Sequence, residues 1–162
     1  MGVPDTIDAS SEAATRKAGA LLGALACADD VIGLIGELGA GKTAFAQGLA
    51  RGLGVEGPVP SPTFNLLLVH PCTRTFYHFD LYRLERPQEL EDIDFHEPLE
   101  AGGVTAIEWA DRFPAEMPPD HLDVTFEVLD ETRRTLHLRA GGPHSRRLAR
   151  EWLGAWAREG ET

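Results

Sequence analysis

The chain has 162 residues, a hydrophobic fraction of 43% and a formal net charge of -11. That length and apolar content predict one globular domain over 1–162 and exclude a disordered chain, while no apolar run approaches the roughly 18 residues of a membrane span. The negative charge argues against a protein that holds nucleic acid through its own phosphate contacts, and two cysteines without C-x-x-C spacing, Cys27 and Cys72, predict a reducing, cytoplasmic setting without a disulfide framework.

In chain order, Ser10 or Ser11 is placed to cap a helix running to about Cys27, with Leu21, Leu22 and Leu25 on its apolar face. "VIGLIG" (31–36) reads as a short buried strand. A Gly-rich loop follows, then a helix on which Phe45, Leu49 and Leu53 repeat at helical spacing and Gly54 ends the run. "FNLLLV" (64–69) and "TFYHFDLY" (75–82) read as two strands joined by "HPCTR". The acidic stretch "ERPQELEDIDFHEPLE" (85–100) is predicted helical from Pro87 to near "EAGG". "VTAIEW" (104–109) is a further buried strand, and "RFPAEMPPD" is a Pro-rich loop. "HLDVTFEVLD" and "RRTLHLRA" predict a hairpin turning at Asp130 to Thr132. "SRRLAREWLGAWARE" is amphipathic, with Leu148, Trp152 and Trp156 one helical turn apart. Strands interleaved with helices predict an α/β fold, a mostly parallel sheet flanked by helices with an antiparallel C-terminal hairpin.

The chemistry concentrates in "GELGAGKT". Gly36, Glu37, Leu38, Gly39, Ala40, Gly41, Lys42 and Thr43 match G-x-x-x-x-G-K-[ST], and the match lies between a predicted strand and a predicted helix. Glycines there let backbone N–H groups turn inward around phosphate oxygens, and a helix N-terminus favours negative charge. Lys42 would reach the outer phosphates and the Thr43 hydroxyl would ligate magnesium. Lys17 and Lys42 are the only lysines among fifteen Lys and Arg, so an ammonium stands where a compact point charge is wanted. A guanine-reading N-K-x-D box is impossible, because the only asparagine is Asn65 and no lysine follows it. That favours ATP.

Magnesium needs a second protein oxygen, usually from a carboxylate at a neighbouring strand end. Asp80 closing "TFYHFD" and Glu108 closing "VTAIE" both fit: Glu108 as ligand, Asp80 as ligand, water-orienting group or base. By spacing alone "SPTF" (61–64) is an ordinary turn before a strand. The six histidines show no metal spacing, and His78 reads as a packed strand residue.

Beyond a generic phosphate loop, "GELGAGKTAFAQGLARGLG", "SPTF", "YHFDLYRL", "ELEDI" and "IEWADR" follow one another over 33–112. In order and spacing these blocks resemble the TsaE (YjeE) family. The resemblance implies a small bacterial ATPase that uses ATP and Mg2+ and acts with TsaB and TsaD. In that system a threonylcarbamoyl group is placed on the tRNA adenosine next to the anticodon, with the tRNA contacted mainly through the partners. It further implies that Gly36 to Ala44 hold ATP, that Thr43 and Glu108 bind the metal and that Asp80 supports hydrolysis. Thr63 would belong to a switch-like "SPT" loop, Trp109 would respond to nucleotide, and Ser11, Thr15 and Arg134 would complete the nucleotide site. The principal alternative is a small-molecule kinase of shikimate or nucleotide-kinase type. Such an enzyme needs an arginine-bearing lid, where this chain has "RFPAEMPPD" with Arg112 alone.

Overall fold

The computed structural model describes residues 5–62 and 66–159. Its elements are β1 (Thr6–Ala9), α1 (Glu12–Leu25), β2 (Val31–Ile35), α2 (Lys42–Gly52), β3 (Leu67–His70), β4 (Phe76–Asp80), α3 (Gln88–Asp92), β5 (Val104–Glu108), β6 (Leu122–Val128), β7 (Arg134–Ala140) and α4 (Pro143–Glu159). The strands form one sheet in the order β1-β7-β6-β2-β5-β4-β3. β6, β2, β5 and β4 are parallel neighbours, and antiparallel pairs flank them: β6–β7 and β7–β1 on one side, β4–β3 on the other. The α/β class, the flanking helices and the antiparallel C-terminal hairpin are as the sequence predicts, and the sheet is mixed, with three parallel and three antiparallel pairings among the described residues.

Alternation in the strands divides the interior into two cores. Ile32, Leu34, Phe76, Val104 and Ala106 face α1, α2 and α4. Val31, Phe79 and Ile107 face the other way, under Leu90 of α3, Phe95, Leu99 and Phe113. Trp152 of α4 is fully buried, and its indole N–H donates to the carbonyl of Ala18 at 2.9 Å. The C-terminal helix thus serves as the cover of α1, which the arginine-rich composition of that segment did not reveal.

α1 and α2 run against each other through Gly19 and Gly23 on one side and Gly48 and Gly52 on the other. A Cβ at Gly48 would stand 2.0 Å from the Arg16 carbonyl oxygen, so no side chain fits without parting the helices. This close approach ties the helix that follows the glycine loop to the first helix of the chain.

Four boundaries depart from expectation. "TIDA" forms β1, which four residues cannot announce by alternation and which exists by pairing Thr6 to Ala9 with His137 to Arg134. The helical segment from Pro87 is only five residues long. A turn replaces it after Asp92, and Pro98, which lacks an N–H, opens a separate 3-10 turn to Glu100. β3 begins at Leu67, after Leu66 at φ 64, and Phe64 lies outside the described residues. β4 stops at Asp80 because its carboxylate Oδ1 accepts the N–H of Tyr82 at 3.0 Å, turning the chain.

At the foot of β6, His121 places Nδ1 2.6 Å from the Pro118 carbonyl and Nε2 3.0 Å from Asp123 Oδ1. Both partners are acceptors, so the ring is held with both nitrogens protonated. The hydrogen bond to Asp123 raises its pKa above the usual value. A histidine with a raised folded pKa stabilises fully below the unfolded value near 6.5 and loses that contribution as pH rises through the folded value. The unfolding free energy lost in His121→Gln should therefore be larger at about pH 5.5 than at about pH 9; an equal loss at both would show that the ring is not charged. Gly48→Ala should cost about 2 kcal/mol by overpacking the α1–α2 seam, read by urea denaturation. A change below about 0.5 kcal/mol would mean the helices separate freely.

Candidate functional site

β2 ends at Ile35, and residues 36–41 turn directly into α2. Gly41 caps the helix at φ 107, a left-handed conformation that a side chain resists, and among the described residues no side chain caps the helix's first turn. The first N–H groups of α2 are thus left facing outward, the arrangement that favours an anion. Lys42 is 5% exposed and curls back over the loop. Its Nζ donates to the carbonyls of Gly36 at 2.5 Å and Glu37 at 2.8 Å and sits 4.3 Å above the Trp109 ring. Burial pushes its pKa down, and the carboxylates of Glu108, Asp80, Asp111 and Glu37 oppose that shift.

The acids arrive by register. β4 and β5 pair in parallel with Asp80 opposite Glu108, and Leu34 of β2 lies opposite Glu108 on its other side. The period of two puts His78 and Asp80 of β4 on the face of the sheet that carries α2, together with Glu108 of β5. Both carboxylates are buried, at 5% and 3% exposure. Glu108 Oε2 lies 2.7 Å from Nε2 of His78, which has no exposure at all. A buried carboxylate without such a partner would be costly.

Trp109, next after Glu108, adopts φ 63, an uncommon conformation for a bulky residue. Strain of this kind costs about 1–3 kcal/mol and persists only where surroundings enforce it. Here the Trp109 N–H donates to the Leu34 carbonyl, the ring packs on Tyr82 at 4.9 Å between centroids, and Lys42 covers one face. The strain aims the indole at the loop.

These elements enclose an open cleft of about 580 Å³. Of the residues predicted to form the site, Thr15, Leu38, Gly39, Ala40, Gly41, Lys42, Thr43, Ala44, Asp80, Glu108 and Arg134 line it. Trp109 lines it as well. Gly36 and Glu37 do not line it; they hold Lys42. Ser11 spends its hydroxyl capping α1, accepting the Ala14 N–H at 3.0 Å, and Thr15 donates to the Ser11 carbonyl at 3.2 Å. Thr63 lies outside the described residues. Arg134, first residue of β7, reaches across to donate to the carbonyls of Ala40 at 2.8 Å and Gly39 at 3.3 Å.

The wall also includes Arg16, Gln47, Tyr82, Glu131 and Thr132, which the sequence reading did not name. Gln47 follows Thr43 by one helical turn and was findable on that ground. Its amide donates to the Val59 carbonyl at 3.0 Å, joining α2 to the segment before the "SPT" loop. The others depend on contacts between distant segments. Thr43, Glu108 and Asp80 supply only hard oxygen donors, a set that suits magnesium and does not suit zinc or copper. Among the described residues no three His, Cys, Asp or Glu side chains converge into a cluster able to hold a metal, so phosphate oxygens would have to complete a cation's shell.

Fold and site together define an α/β protein with a glycine loop, a buried lysine and two buried acids at the carboxyl edge of a parallel sheet. Residues 9–136 match the model of the family described as "Threonylcarbamoyl adenosine biosynthesis protein TsaE". The chain belongs to the TsaE family. Proteins named tRNA threonylcarbamoyladenosine biosynthesis protein TsaE share 38% identity in Treponema pallidum, over 75% of this chain and 90% of that one. The Bacillus subtilis protein of that name shares 34%, over 85% and 86%. A crystal structure of Bacillus subtilis YdiB superposes with a TM-score of 0.78 at 26% identity, covering 93% of this chain and 94% of that one.

Because Arg134 is the contact that ties β7 to the loop, Arg134→Met should speed amide exchange at residues 39–41 by about tenfold, the equivalent of one charged hydrogen bond. Unchanged exchange there would show that the hairpin does not hold the loop.

Proposed function

We propose that this chain is an ATP-binding, slowly hydrolysing accessory protein of tRNA threonylcarbamoyladenosine biosynthesis that acts in the cytoplasm with TsaB and TsaD. The observation that carries this reading is the convergence of Lys42, Thr43, Asp80 and Glu108 in one cleft of a TsaE-family chain. The glycine loop would serve as a phosphate loop, offering the N–H groups of Gly41, Lys42 and Thr43 to phosphate oxygens, while that of Ala40 is held by the Glu37 carbonyl at 3.1 Å. Lys42 exchanges its two loop carbonyls for phosphate oxygens. Thr43 and Glu108 hold Mg2+, which when bound offsets charge on the phosphates. Asp80, one strand over from Glu108, orients the attacking water and accepts its proton. The water oxygen bonds to the terminal phosphorus, the bond to the ADP oxygen breaks, and ADP and phosphate leave. Thr15 and Arg134 border the nucleotide, Ser11 fixes the helix that carries Thr15, and Thr63 serves the switch-like loop.

ATP in this reading drives a conformational cycle of the partner assembly, and the transfer of the threonylcarbamoyl group falls to TsaD. The net charge of -11 fits a protein that leaves tRNA to its partners. A kinase would need an arginine-bearing lid over the cleft; residues 110–116 instead form two 3-10 turns, one of them packed under the second core.

Purified protein should hydrolyse ATP feebly, and a TsaB–TsaD assembly should raise the rate. Asp80→Asn should keep ATP affinity within about threefold while turnover falls about 100-fold, the usual scale for losing a positioned acid–base group. Turnover that ignores TsaB–TsaD but responds to a small acceptor molecule would sink the accessory role. Lys42→Ala should weaken ATP binding with the far-UV circular dichroism unchanged; loss of the spectrum would mean the lysine is needed for folding.

A further inference from the structure

His78 takes no part in the roles assigned above, yet it is the most enclosed polar side chain near the cleft. It has 0% exposure, and its Nδ1 is a buried ring nitrogen without a hydrogen-bond partner. A structure tolerates an unpartnered buried polar atom when the same group makes another contact that matters. That contact is Nε2 to Glu108 Oε2 at 2.7 Å, across β4 and β5. Since a carboxylate only accepts, the ring carries a proton on Nε2.

The ring is also held in orientation. It stacks on Phe76 at 5.6 Å and 20° between planes, and Phe76 stacks in turn on His70 of β3 at 5.8 Å and 24°. The three rings form a column reaching inward from the edge strand, with the His78 N–H at its inner end. We propose that His78 is a positioning residue for the metal ligand Glu108. It fixes Oε2 and would thereby set the orientation in which the carboxylate meets a cation. A packed aromatic would fill the column equally well; only a donor can orient the carboxylate. The inference rests on the assignment of Glu108 as a magnesium ligand. Partners that hold a ligating side chain typically change metal affinity by about 10–100-fold when removed.

The test measures how strongly magnesium tightens nucleotide binding: the ratio of dissociation constants for a fluorescent non-hydrolysable ATP analogue in EDTA and in saturating Mg2+. This linkage reads the metal site without turnover. His78→Phe, which keeps the stack and loses the donor, should lower the ratio about tenfold with the constant in EDTA little changed. His78→Gln, whose amide reaches a similar distance with an N–H, should restore most of it. Should the phenylalanine variant fail to fold, His78→Asn, one bond too short to reach, should show the same loss. Glu108→Gln separates the two levels of inference. If it collapses the ratio while folded His78→Phe and His78→Asn retain it, the positioning role is overturned and the ligand assignment stands. If wild type shows a ratio of one, or Glu108→Gln leaves it unchanged, the ligand assignment fails and the positioning role falls with it.

Discussion

Three parallel strands, β2, β5 and β4, end on the same edge of the sheet, and the site depends on that coincidence. Parallel pairing carries Leu34 beside Glu108 and Glu108 beside Asp80, so the loop after β2 and the acids closing β5 and β4 meet with no further adjustment. α2, which starts at Lys42 directly after the loop, then lays its N-terminus over the same edge. A slip of one residue in either ladder would turn an acid to the opposite core, under Phe79 and Ile107. Apolar alternation on both faces of β4 and β5 resists such a slip, so the packing of the cores fixes the geometry of the cleft.

Around that edge the protein gathers charges that apolar burial alone would not tolerate. Lys42, Asp80, Glu108 and His78 are all nearly excluded from solvent. The three charged groups are compensated locally: Lys42 by two carbonyls and an indole face, Glu108 by His78, Asp80 by the turn N–H of Tyr82. The opposition between burial and neighbouring carboxylates at Lys42 reflects the same arrangement. The left-handed Trp109 adds backbone strain at the point where β5 leaves the sheet. Strain and buried charge concentrated in one place are what a prepared binding site costs, and the glycine-sealed seam of α1 with α2 supplies rigidity behind it.

Much of this was legible in the chain before any tertiary contact was known. The glycine loop announces itself by residue type and spacing, and Gly41 at φ 107 adopts a backbone that glycine readily allows. Acids closing apolar strands mark Asp80 and Glu108 by the same local logic, and Ser11 caps α1 as its residue type suggests. Less was legible where length or composition misled. β1 has four residues, too few for their alternation to stand out, while the acidic segment after Pro87 has helical composition but leaves the helix at Asp92, and Pro98 opens a separate 3-10 turn.

The sequence by itself determined the elements whose causes lie within a few neighbouring residues: the loop, the strand-ending acids, the caps and the hairpin. Tertiary structure alone decided which of these meet. His78 and Glu108 are 30 residues apart, and Arg134 lies 94 residues from the carbonyl it holds. His78 reads as a packed strand residue until the β4–β5 register sets its ring against a carboxylate. Local propensity acts through the dihedral angles of adjacent residues, whereas these contacts depend on strand order and register, which are settled by burying two cores at once.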